Sequence, residues 1–147
     1  MATPHKKLYL SALCLFMTVT SVYALSESDK QEAIKQSSSR WMKLSREAEL
    51  LRSKGQQKEA VLKYKEIMEE RRALGLKPSS ERVDMAKALC EDKNKPAAEN
   101  VYKEMIAESE KEYGANDPMS IFSLTLYSEF LAAEKRTTEA NKLKSQI

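Results

Sequence analysis

Beyond residue 24, glycine and proline occur only where one helix would have to end or the next begin. The glycines are Gly55, Gly75 and Gly114, and the prolines of this stretch are Pro78, Pro96 and Pro118. The segments between them are rich in Glu, Lys, Ala, Leu, Met, Gln and Arg, residues that favour helix. No segment shows sustained alternation of apolar and polar residues at the two-residue period of a strand. The chain is therefore expected to be all-α, with helices near 41–54, 57–73, 80–92, 96–113, 118–134 and 137–146. A lead-in helix or linker is expected over 25–40, opened by a capping box of Ser28 and Gln31 and interrupted or frayed at Ser37–Ser39. Asp117 before Pro118 is a start signal, Thr137 is a candidate cap for the last helix, and Gly55 suits a left-handed helix end.

These breaks divide the chain into units that align with one another. Taking Ala60, Ala98 and Ala140 as anchors, the intervals are 38 and 42 residues. Twelve residues before each anchor stands a small residue, Ala48, Ala86 or Ser128, and nine before stands a leucine, Leu51, Leu89 or Leu131. Tyr64 and Tyr102 follow the first two anchors by four residues, and Ile67, Met105 and Ile147 follow all three by seven. Two short helices crossing closely account for this pattern. Each contributes a small residue at the crossing, because large side chains on both would push the axes beyond roughly 8–10 Å. The leucine, tyrosine and Ile/Met positions fill the space around it. One such pair cannot bury its apolar face alone, but stacked pairs share a continuous core.

The small–leucine–small–aromatic spacing resembles the tetratricopeptide repeat, most closely over Ala48–Tyr64. The Tyr113-Gly114-Ala115-Asn116-Asp117-Pro118 stretch and the 42-residue interval are similar to the longer, kinesin-light-chain-like variety. The resemblance covers about residues 41–147 and implies an α-solenoid of about three antiparallel helix pairs preceded by a lead-in helix. The units depart from the pattern where Lys93 and Lys135 replace the glycine between paired helices, and where Lys144 replaces the aromatic.

Residues 1–24 differ from the rest. His5, Lys6 and Lys7 precede an uncharged apolar run over 8–23, and Val22-Tyr23-Ala24 ends it with the small residues of a cleavage site. This is the pattern of a secretory signal peptide, with cleavage expected after Ala24 and a periplasmic or extracellular destination. An uncleaved anchor is the alternative, although a span takes about 20 apolar residues. A lipoprotein would use Cys14, which sits too early in the run and after bulky Leu13.

Cleavage would leave no histidine, since His5 is the only one, and a single cysteine, Cys90. The common Ser–His and Cys–His nucleophile pairs and a typical zinc site are then out of reach. Removing Lys6 and Lys7 takes the formal charge from +3 to +1, and Lys and Arg are interspersed with Glu throughout. Neither gives the clustered basic footprint of a nucleic-acid binder. No glycine-rich phosphate loop, G-x-S-x-G or H-E-x-x-H motif occurs. The expectation is no enzyme, no cofactor, no nucleic acid and no membrane contact after cleavage.

What remains is a scaffold that binds a protein or peptide. Carried over position by position, the repeat resemblance implies a groove lined by the first helix of each pair: Met42, Ser45, Glu49 and Arg52, then Val83, Lys87 and Cys90, then Phe122, Thr125, Glu129 and Ala132. Met42 and Phe122 are the apolar anchors. The alternative is a structural subunit, homo-oligomeric through its open C-terminal repeat, where Leu143 and Ile147 are uncovered. Cys90 reads as a small buried hydrophobe, with pairing to a cysteine of another chain as the alternative, Trp41 as core, and the charge runs 69–72 and 108–112 as exposed helix faces.

Overall fold

A computed structural model describes residues 26–77 and 79–147. The expected signal segment lies outside the described residues. The described chain is all-helical, with six helices and no strands. They are α1 (Glu27–Ser53), α2 (Gln57–Ala73), α3 (Ser79–Glu91), α4 (Lys95–Tyr113), α5 (Pro118–Ala133) and α6 (Thr137–Lys144). Each helix packs on the next, α1 on α2 through to α5 on α6. No helix among the described residues is long and apolar enough to cross a membrane.

The lead-in segment and the first expected helix are one helix. Ser26, not Ser28, caps α1, its hydroxyl accepting the Asp29 N–H at 3.2 Å and donating to the Asp29 carboxylate at 2.6 Å. The serine run does not interrupt it. Ser38 satisfies its hydroxyl on the Lys35 carbonyl at 2.7 Å, and the apolar stripe Ile34, Trp41, Leu44 continues through the run against Ile67, Leu74 and Leu76. That packing outweighs the weak helix preference of serine, about 0.5 kcal/mol per residue. Asp117 caps α5, its side chain accepting the Met119 N–H at 2.8 Å with Pro118 in the first turn. Thr137 is the first residue of α6; the capping position is Arg136, without a side-chain cap.

The three turns inside the aligned units are the same turn. Gly55, Lys93 and Lys135 have φ of 77, 60 and 62°. In each, the following N–H (Gln56, Asn94, Arg136) donates at 2.9 Å to the carbonyl of Leu51, Leu89 or Leu131. The left-handed residue itself donates at 3.0 Å to Arg52, Cys90 or Ala132. This paired pattern satisfies carbonyls that the helix end would leave orphaned. Only the first turn uses the residue without a Cβ. The two lysines hold the same backbone at a cost of about 1 kcal/mol each.

The six small positions of the alignment are among the most buried in the molecule: Ala48, Ala60, Ala86, Ala98 and Ser128 at 0 % exposure and Ala140 at 1 %. Around them lies one core running through all six helices, with Tyr64, Tyr102, Met105 and Leu131 buried. Lys144 is exposed, and half-buried Leu143 packs against the core in its stead. The aromatic bulk in this part comes from α5: Tyr127 and Phe130 lie 6.2 Å apart by ring centroid and meet Tyr102 at 6.3 and 5.2 Å. Burial pushes the Tyr102 hydroxyl up to about 12. A smaller cluster of Trp41, Leu44 and Ile67 closes the α1–α2 end.

Charged side chains fasten neighbouring helices. Trp41 donates its indole N–H to Glu70 at 2.9 Å, and the Arg71 guanidinium lies 5.2 Å from its ring centroid while pairing with Glu81 at 3.1 Å. Arg82, buried, pairs with Glu108 at 2.6 Å. The runs 69–72 and 108–112 are thus not simply solvated. Glu70, Arg71, Glu108 and Glu112 each hold another element, Glu112 through Lys77. Glu99 gathers α4, α5 and α6, accepting from Arg136 at 2.7 Å and Tyr127 at 2.7 Å with Lys103 at 2.8 Å. The Arg136 guanidinium, with Lys103 and Tyr127, holds the Glu99 carboxyl down at about 2.

Candidate partner-binding face

The residues expected to line a groove come from α1, α3 and α5, and the structure divides them. Val83 of α3 and Phe122 of α5 meet in one hollow of about 310 Å³. Met119, one turn before Phe122, lies in the same hollow with Ser80 and Asp84. Phe122 is 49 % and Met119 43 % exposed, so two large apolar side chains stand uncovered side by side. Isolated apolar residues on a surface need no explanation, but contiguous ones mark candidate contact sites.

The ridge they form has a second hollow on its other flank, of about 100 Å³, walled by Met105 and Ser109 of α4 and by Tyr113. Lys77 lies across its rim, 5.0 Å from the Tyr113 ring centroid and paired with Glu112. Inside, the Ser109 hydroxyl meets that of Ser123 at 3.3 Å.

Met42 does not join them. It is 57 % exposed and shares a separate hollow of about 370 Å³ with Leu50, Lys43 and Arg46 on α1. Arg52 is engaged: its guanidinium donates from Nε and Nη2 to the two oxygens of the Glu91 carboxylate and so ties α1 to α3. That pairing holds the Glu91 carboxyl below the usual range. Thr125 spends its hydroxyl on the Ile121 carbonyl at 2.8 Å. Lys87 pairs loosely with Asp84 at 3.7 Å. Glu49, Glu129 and Ala132 are exposed and Ser45 is half-buried.

Cys90 is free and half-buried, packed against the core; burial pushes its thiol up, away from the reactive thiolate. Among the described residues no cluster of three His, Cys, Asp or Glu is placed to hold a metal ion.

Of the residues expected from the sequence, the structure brings Val83 and Phe122 together; Met119, Ser80 and Asp84, which line the same hollow, were not among those expected. Met119 was findable, since it lies three residues before Phe122 and so on the same helix face. Ser80 and Asp84 depend on how α3 meets α5, which one sequence does not state.

Comparisons with family models, with curated proteins and with solved structures find no match to the chain.

Proposed function

We propose that this chain is an exported binding module, a tetratricopeptide-like α-solenoid of three helix pairs that holds a peptide or partner protein on its Phe122 face. The observation that carries the reading is the exposed apolar pair Phe122 and Met119, standing beside Val83 with a hollow on either flank. An aromatic anchor next to shallow apolar hollows is the arrangement that concentrates binding energy in protein contacts. The solenoid reading is supported by the burial of all six small positions, by the three matching turns and by packing that runs from each helix to the next. Export rests on the composition of residues 1–24. The module carries out no chemistry in this reading; its work is recognition.

The test is capture of partners by the tagged protein from its own cell-envelope fraction, with the Phe122→Asp variant alongside. Loss of a specific partner in the variant, with helical content unchanged, is the expected result. Identical captures by the two proteins would remove this face from the proposal. Amino-terminal sequencing of the exported protein checks the other half, with Leu25 expected as the first residue.

A further inference from the structure

A second surface shares no residue with the Phe122 hollows. Helices α2 and α4 flank an open groove of about 620 Å³, and Met85 and Leu89 of α3 form part of its floor. Val61 and Met68 of α2 and Val101 of α4 complete an apolar base; they are core residues, only 5–7 % exposed, whose edges alone reach the groove.

The two edges carry opposite charge. Along α2 stand Lys58, Lys65 and Arg72, all exposed and none with an ion-pair partner among the described residues. Lys63 and Lys103, on the same two helices but outside the groove, pair with Glu47 and Glu99. Glu69 is the one acid on this edge of the groove. The opposite edge is lined by Asp92 and Glu104, neither with an ion-pair partner among the described residues; exposed Lys93 and Lys95 stand beside it without lining the groove.

The spacing of the cations selects the occupant. Lys58, Lys65 and Arg72 are seven residues apart, two helical turns, so they stand in a row about 10.5 Å apart and about 21 Å long. A helix presents carboxylates at the same seven-residue interval along one edge, flanking an apolar stripe. An extended peptide repeats on one face every 6.6 Å or so and falls out of step. A nucleic-acid strand would meet Asp92 and Glu104 with its phosphates.

We propose that this groove receives an amphipathic helix of a partner polypeptide. Its apolar stripe rests on Val61, Met68 and Val101, its acidic edge lies along α2 and its basic edge along Asp92 and Glu104. This goes beyond the function proposed above and stands without it.

The probe is a synthetic 18-residue helical peptide with a leucine stripe, glutamates at seven-residue spacing on one edge and lysines on the other. A control peptide keeps the stripe and has lysine on both edges. Binding to the purified protein is measured by fluorescence anisotropy, and the contact is mapped by amide chemical shifts. The Glu/Lys peptide is expected to bind at least tenfold more tightly than the control and to perturb Val61, Met68 and Val101. Reversing two cations, as Lys65→Glu with Arg72→Glu, is expected to weaken it at least tenfold; Lys58→Glu with Lys65→Glu is a second, independent pair. All are exposed side chains, and unchanged melting confirms that the variants fold. The proposal is overturned if the Glu/Lys peptide does not bind, if it binds both variants as well as the wild type, or if the perturbed amides cluster at Val83 and Phe122. The last outcome would leave the Phe122 face standing while removing the groove.

Discussion

Replacing Ala98 by leucine tests whether small residues set how closely these helices cross. Ala98 has no exposed surface, and neither have Ala60 and Ala86 in the same core. A leucine adds three carbons where the packing leaves no space for them. Overpacking of this kind costs about 1–3 kcal/mol. Here the upper part of that range is expected, because relief requires α4 to move away from its neighbours and loosens contacts along its length. Ala107 on the same helix is exposed and serves as the control. Leucine and alanine differ little in helix preference, so Ala107→Leu stays within about 0.5 kcal/mol of the wild type. For a domain of this size 1 kcal/mol moves Tm by roughly 4 °C. Ala98→Leu is therefore expected to melt about 10 °C lower, and Ala107→Leu within about 2 °C. Circular dichroism melts measure the first difference. Urea titration checks that the midpoint falls while the slope is unchanged, which separates lost stability from altered compactness. The reasoning fails if Ala98→Leu melts within about 3 °C of the wild type, or if the two leucine variants lose the same amount.

Three further outcomes follow from other parts of the structure. Lys93→Gly and Lys135→Gly should each stabilise by about 1 kcal/mol, since the left-handed turn is kept and the Cβ penalty removed. The double variant, read as urea midpoints, is compared with the sum of the two; a departure from the sum reports coupling through the Lys95–Glu134 pair that joins the turns. Glu99 has its carboxyl at about 2 in the fold against an ordinary 4.5, so its contribution is fully present above pH 4.5 and is lost as pH falls toward 2. Glu99→Gln should cost about 1 kcal/mol at pH 7, the full linkage being reduced by screening, and the gap between the two proteins should close by about pH 2 in melts across pH. Trp41→Phe removes the bond to Glu70 and weakens the Arg71 contact, and should cost about 1–2 kcal/mol. Trp41 is the only tryptophan, so in the wild type its fluorescence should report unfolding of the α1–α2 end; a fluorescence transition apart from the circular dichroism one would show that end melting separately.

The parts of this fold that were legible in the sequence are those set by spacing along one chain segment. Helix bounds followed from Gly55, Gly114 and the Asp117–Pro118 pair, and they agree with the structure to within a residue or two apart from the first helix. The small positions stood out because they recur in register, and Ala48, Ala86 and Ser128 alike are fully buried, where packing leaves no space for a large side chain. The first helix was misread because Ser37–Ser39 weaken it locally, while its support comes from Ile67 and Leu74, which lie in or just past a different helix. Lys93 and Lys135 looked like departures from a glycine turn, yet both adopt it. The hydrogen bonds to Leu89 and Leu131 and the packing on either side outweigh a penalty of about 1 kcal/mol.

The candidate surfaces separate along the same line. Phe122 was findable as an apolar residue at a helix position facing outward, and Met119 should have been found with it. The charges were not legible in this way, because composition counts them all alike. Arg52 was expected in a groove and is spent on Glu91, while Lys58, Lys65 and Arg72 lay within an ordinary mixed helix surface and are unspent. Whether a cation is available depends on which acid lies across the helix interface. An unpaired row beside an apolar base is therefore seen only after the fold has shown which neighbouring charges, such as Lys63 and Lys103, are already held by another helix or turn. Had Glu47 or Glu91 stood across from Lys65, the same sequence spacing would have described one more interhelical fastener.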